Sequence, residues 1–173
     1  MYTGVVLTIV ALHAAAFLIL LGHWLVAAGL FPQATRAFQD QYRARPVRAV
    51  LVGVFTYGPL LLLLLNSAKI PNGAIRALVI IAGLLAILIA LAGTAGLALR
   101  IGQNLAEETT PWQQGLRGGV MLALVFITPA LGSLFLLHIG LASGFGAFLL
   151  ARPWRSREAA PALSVSEPSV ALS

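Results

Sequence analysis

Three histidines are the residues of this sequence best suited to bind a metal or carry a proton, and all three lie in apolar surroundings. His13 and His23 stand in the first apolar segment, and His138 lies in the last. On one helix, a spacing of ten residues separates two side chains by about 15 Å along the axis and about 80° around it, so His13 and His23 cannot share a metal. An intramembrane ionisable group raises a functional hypothesis. A neutral histidine bonded to a neighbouring helix is our interpretation, and a proton relay or a haem between His23 and His138 is the alternative.

The remaining polar groups form no recognisable catalytic set. Glu107 and Glu108 could act as an acid–base pair, but beside Thr109 and Thr110 they are typical of a solvated loop or helix end. The sequence has no cysteine, and Asp40 is its only aspartate. The glycine-rich stretches lack the Lys-Ser/Thr pair of a phosphate-binding loop. We therefore expect no enzyme activity, no cofactor and no metal site.

Composition indicates the elements that carry these side chains. Of 173 residues, 60% are hydrophobic and only 9% are charged, whereas a soluble domain has roughly 25% charged residues. Such a chain has too little polar surface to cover a core in water, and a bilayer removes that requirement. The sequence predicts an all-α polytopic membrane bundle of about four transmembrane helices over residues 1–152, followed by a disordered tail over residues 153–173 that is rich in Pro, Ser and Ala.

Uninterrupted apolar segments and prolines place the expected spans. They cover residues 4–31, 47–65, 75–99 and 118–150. Pro59 and Pro129 should kink the second and fourth spans, because proline removes one backbone hydrogen bond. A straight helix over residues 118–150 would measure about 50 Å, against about 30 Å for the hydrocarbon core. The fourth span must therefore be broken near Pro129, and the sequence leaves open whether it is kinked or re-entrant.

Small residues mark the faces where helices could pack closely. Gly93 and Gly96 lie in a Gly/Ala-rich part of the third span, and Gly140 and Gly144 stand one turn apart in the fourth. Small residues at this spacing let two backbones approach in a membrane. We predict that the Gly140/Gly144 stripe packs against the third span.

Positive charge is concentrated in the link over residues 33–48, whose apolar residues recur at helical spacing. We expect a short interfacial helix, with arginines that contact lipid headgroups or a partner: Arg36, Arg43, Arg45 and Arg48. The net charge of +6 is attributed to membrane anchoring, and no nucleic acid is expected as a partner. For a four-span chain, the two sides carry six and five Lys or Arg residues. The flanks of the first span favour both termini outside the cytoplasm.

The order of motifs resembles a known membrane module. A span ends in Phe31-Pro32, a basic link leads to "RARPVRAVLVG", and a Leu-rich span with an internal proline reaches Ile70-Pro71. A Gly/Ala-rich span and "GLRGGVMLALVFITPALGSLFLLHIGLASGFGAFLLAR" complete the order. This set is similar to the four-span module attached to some bacterial polymer-forming cytoskeletal proteins of the bactofilin type, here without the polymerising β-domain.

The resemblance implies a non-enzymatic protein of the bacterial inner membrane that crosses it several times. Its expected role is to anchor or scaffold a membrane or cytoskeletal protein, and self-association stays open. The alternative is a small transporter or channel subunit that uses the breaks at Pro59 and Pro129 to gate a path.

Overall fold

Every element of the described chain is helical. The computed structural model describes residues 2–105, 110–128 and 131–151. The helices are α1 (Tyr2–Leu30), α2 (Pro32–Ala44), α3 (Pro46–Leu65), α4 (Gly73–Leu105), α5 (Pro111–Ile127) and α6 (Leu137–Leu150). A 3-10 turn, Ser67–Lys69, connects α3 to α4, and a π-helical turn, Leu131–Leu136, precedes α6. The predicted all-α class is confirmed, whereas the tail and the kink at Pro129 lie outside the described residues.

Three of the helices are long and apolar enough to cross a membrane. They cover Gly4–Leu30, Pro46–Leu65 and Gly73–Leu105. Large hydrophobic side chains cover their outer surface; Leu12 and Phe55, for example, are 67% and 76% exposed. In water this surface would aggregate, whereas lipid solvates it at no cost. The protein is therefore a multi-pass membrane protein whose outer surface contacts the bilayer.

Prolines and one capping motif set the helix starts. Pro32 and Pro46 occupy the first turns of α2 and α3, where a missing N–H costs nothing. We expected the fourth span to begin at residue 118, whereas α5 already begins at Pro111. There, the Thr110 side chain accepts a bond from the Gln113 backbone, and the Gln113 side chain accepts the Thr110 N–H at 3.3 Å. This capping box satisfies two N–H groups that a helix start leaves unpaired.

Helix α3 continues through its internal proline. Pro59 cannot donate to the Phe55 carbonyl, which removes one rung of the helix. One turn earlier, the Thr56 hydroxyl donates to the Val52 carbonyl at 2.6 Å, which keeps this polar group satisfied in an apolar setting. The helix is unbroken at this point, and the kink at Pro59 stays a prediction.

The segment expected as a fourth span consists of two helices that run in opposite directions. Along α5, Gln114 meets Gly102 and Gly118 meets Ala98, so α5 runs antiparallel to α4. Helix α6 runs antiparallel to α3, because Ala142 meets Gly53 whereas Gly146 meets Ala49. Since α3 and α4 form an antiparallel pair, α6 runs parallel to α4. Of the two arrangements left open by the sequence, these contacts favour the re-entrant one.

Helix α6 forms the centre of the bundle. All residues from 140 to 147 are buried, and α6 packs most extensively against α3 and α4. Helix α5 lies on another side of α4, where it also packs against α1. Near its end, the Phe126 ring packs edge-on against Trp24 of α1. The core therefore consists of three clusters, of which the first joins α1, α4 and α5, the second α3, α4 and α6, and the third α2, α3 and α6. No residue from 4 to 16 of α1 is buried.

Candidate functional site

The closest helix contact of the predicted small-residue patch joins α4 to α6. A Cβ built on Gly93 would lie 2.5 Å from the carbonyl carbon of Gly144 and 2.9 Å from its Cα. A Cβ built on Gly144 would lie 2.7 Å from Thr94 Cγ2 and 2.9 Å from the Thr94 backbone nitrogen. Both positions exclude any side chain unless a backbone moves. The structure thus brings Gly93 and Gly144 together at one crossing point.

The other two predicted glycines have different neighbours. Gly96 faces α2, where a Cβ would lie 2.6 Å from the Gln39 backbone nitrogen and from Phe38 Cβ. Gly140 lies nearest to the Phe126 ring of α5, whereas we predicted that its nearest neighbour belongs to α4. The difference arises because α5 and α6 are separate helices, which lets the end of α5 fold against the beginning of α6.

A second seam of small residues, between α3 and α6, was missed by the sequence analysis. A Cβ on Gly146 would lie 2.8 Å from the Gly53 nitrogen and 2.9 Å from the Ala49 carbonyl carbon. A Cβ on Gly53 would in turn meet the backbone of Ala142. The signal was present, because Ala49 and Gly53, like Ala142 and Gly146, are small residues four positions apart.

Two buried hydrogen bonds connect helices that are distant in the sequence. The Trp24 indole N–H of α1 donates to the Thr94 hydroxyl at 2.8 Å, and this hydroxyl donates to the Leu91 carbonyl at 2.7 Å. The Tyr42 hydroxyl of α2 lies 3.2 Å from Ser143 Oγ of α6. Burial raises the pKa of Tyr42 to about 12, although the bond to Ser143 opposes this shift. Both side-chain pairs are uncharged hydrogen bonds that stabilise the contacts between helices.

Among the described residues, His13 and His23 do not form the expected bonds to a neighbouring helix. His13 Nδ1 lies 2.8 Å from the Ile9 carbonyl of its own helix. His23 Nε2 is buried, and no described residue gives it a hydrogen-bond partner. His138 is exposed on α6. Among the described residues, no group of three or more His, Asp or Glu side chains could hold a metal ion; Glu107 and Glu108 lie outside those residues.

Helix α2, which we call the α2 platform, is attached to the bundle through its buried face. Its buried side chains are Thr35, Phe38 and Tyr42, and the Phe38 ring packs against Phe148 of α6 at 6.0 Å. The predicted headgroup or partner contacts are exposed on α2 and at the start of α3: Arg36, Arg43, Arg45 and Arg48. The predicted amphipathic helix is confirmed, since one face is buried and the other carries the charges.

A groove opens beside this platform. Its volume is about 1190 Å³, and it lies between α2, the end of α1 and residues Leu88, Ile89 and Ala92 of α4. Arg36 and Asp40 belong to its polar lining. The groove could accommodate an apolar chain with a charged end.

Comparison of the chain with protein-family models, with curated proteins and with solved structures finds no match.

Proposed function

We propose that this protein is a non-enzymatic module of the bacterial inner membrane that anchors or scaffolds a partner protein. The resemblance to the membrane module of bactofilin-type proteins supports a partner of the membrane or cytoskeletal class. The proposal includes no catalytic step and no cofactor.

The observation that carries the proposal is the α2 platform. Helix α2 is held by three buried side chains and by the backbone contact at Gly96, so its position relative to the bundle is fixed. Its exposed face presents Arg36, Asp40 and Arg43 in a row of alternating charge. A rigid polar helix above an apolar bundle suits the docking of a protein surface, because little conformational entropy is lost on binding.

Site-specific crosslinking tests the proposal. A photoreactive amino acid at Arg36 or Arg43 should capture one partner in a fixed ratio after purification from the native membrane. The matched control is the same amino acid at Leu12, which is 67% exposed on the apolar surface of α1 and should capture only lipid. Absence of any protein adduct at both α2 positions would contradict the anchor role.

The broken α5–α6 segment favours a second candidate, a small transporter or channel subunit. Helix α5 ends inside the bundle, where Phe126 meets Trp24 and Gly140. Non-helical backbone at membrane depth is tolerated only where protein buries it or where it lines a water-filled cavity, and π-helical turns often occur at functional sites. Ion or solute flux into liposomes that contain the purified protein alone would support this candidate over the anchor.

A further inference from the structure

The positions of the helix ends decide how often the chain crosses the membrane. Helices α1 and α4 run parallel, because both run antiparallel to α5: along α1, Leu25 meets Gly115 whereas Leu21 meets Gly119. The ends of α1 and α4, together with the starts of α3 and α5, therefore lie at one end of the bundle. We call it the arginine end, because Arg36, Arg43, Arg45, Arg48, Arg100 and Arg117 lie there.

The end of α6 also lies at the arginine end. Ala151, the last described residue, is buried in one cluster with Phe38 and Tyr42 of α2 and with Ala49 of α3. A fourth span would instead place Ala151 near the α3–α4 turn. That turn lies beyond the point where Leu64 of α3 meets Gly83 of α4. Gly83 precedes Ala98 by some 15 residues of α4, which corresponds to about 22 Å along the helix axis.

Helix α5 ends inside the bundle. Phe126 packs against Trp24, which bonds to Thr94, so α5 ends close to the level of Thr94. Eleven residues separate Thr94 from the end of α4 at Leu105, which is about 16 Å of helix. With 17 residues, α5 is shorter than the roughly 20 residues that a span requires, whereas the π-helical turn of 6 residues and the 14 residues of α6 follow one another directly.

We infer that the chain crosses the membrane three times, through α1, α3 and α4, and that α5 and α6 form a re-entrant pair that enters and leaves at the arginine end, which faces the cytoplasm. The N-terminus then lies outside and the segment after Ala151 inside.

The distribution of positive charge supports this inference independently. Of the 11 Lys and Arg residues, six lie at the arginine end, and only Lys69 and Arg76 lie at the opposite end. The remaining three follow Ala151 in the sequence. With four spans, the two sides would carry six and five. With a re-entrant pair they carry nine and two, which is the asymmetry that the positive-inside rule requires and which assigns the arginine end to the cytoplasm.

Labelling of single cysteines tests the topology, and the cysteine-free sequence makes every labelled thiol unambiguous. The variants are Gln33→Cys at the arginine end, Ala68→Cys in the α3–α4 turn and Ser156→Cys after Ala151. In intact cells, a membrane-impermeant maleimide should label only Ala68→Cys. In inside-out vesicles it should label Gln33→Cys and Ser156→Cys, but not Ala68→Cys.

Two outcomes would overturn the inference. Labelling of Ser156→Cys together with Ala68→Cys would mean that the chain crosses a fourth time. Labelling of Gln33→Cys and Ser156→Cys from outside would place the arginine end outside the cytoplasm. Neither outcome depends on whether a partner protein exists.

Discussion

Substitution of Gly93 by alanine should destabilise the bundle more than its small volume suggests. The added Cβ would lie 2.5 Å from the Gly144 carbonyl carbon, whereas ordinary van der Waals contact begins at 3.4 Å. The Gly144 carbonyl oxygen lies closer still, so helices α4 and α6 must separate by more than about 0.9 Å, the difference between these two distances. The obstacle is backbone, which cannot rotate away as a flexible side chain does. Overpacking of this kind costs about 1–3 kcal/mol, which corresponds to about 2–12 °C in melting temperature for a chain of this size.

The assay is thermal unfolding of the purified protein in detergent, with Gly22→Ala as the matched control. A Cβ at Gly22 meets nothing within 4 Å, so this variant should be neutral or slightly stabilised by the better helix propensity of alanine. Combination of Gly93→Ala with Gly144→Ala should cost less than the sum of the two, because both act on one seam. Equal melting temperatures for Gly93→Ala and Gly22→Ala would refute the close approach of α4 and α6.

Four further substitutions test the polar groups by the same unfolding assay. Thr94→Val should cost about 1–3 kcal/mol, because it leaves the buried indole N–H unpaired. Trp24→Phe should cost more than the roughly 0.6 kcal/mol typical of a hydrogen bond between membrane helices, because it also removes buried ring packing; an unchanged stability of Thr94→Val would argue against this bond. For Tyr42, the pKa of about 12 lies above the unfolded value of 10.0. Its contribution of roughly 2–3 kcal/mol to the free energy of unfolding is therefore complete below pH 10 and lost as the pH rises through 12. Tyr42→Phe should remove this loss. His23→Gln should leave stability and visible absorbance unchanged, and disappearance of a bound metal or an absorbance band would revive cofactor binding.

Hydropathy and proline positions were sufficient to predict most of the helices. The starts of α2 and α3 follow from Pro32 and Pro46, and the long apolar runs define α1, α3 and α4. The early start of α5 was missed because its signal is a capping box at Thr110 and Gln113, whereas we gave more weight to the polarity of the segment than to its cap.

The direction of α6 could not be predicted from the sequence. Hydropathy indicates only that a residue is apolar, and it does not distinguish burial in lipid from burial in protein. The reversal depends on which backbone Gly53 and Gly146 meet, which is a property of the tertiary arrangement. For the same reason, we predicted α4 as the packing partner of Gly140, although Gly140 meets Phe126. The surroundings of His23 depend on the helix register, which residue spacing alone does not determine.

The burial of α6 has a consequence for the order in which the protein is assembled. A helix that contacts protein over residues 140–147 gains little from insertion by itself, whereas α1, α3 and α4 can each partition into lipid independently. We expect these three to insert first and the α5–α6 pair to enter afterwards, separating α3 from α4 as α6 fits between them. A chain that ends after Leu105 should therefore insert into the membrane but be cleaved faster by protease, because Ala49, Gly53 and Gly93 would lose the backbone they pack against. An equally resistant truncated chain would show that α3 and α4 reach their final separation without α6.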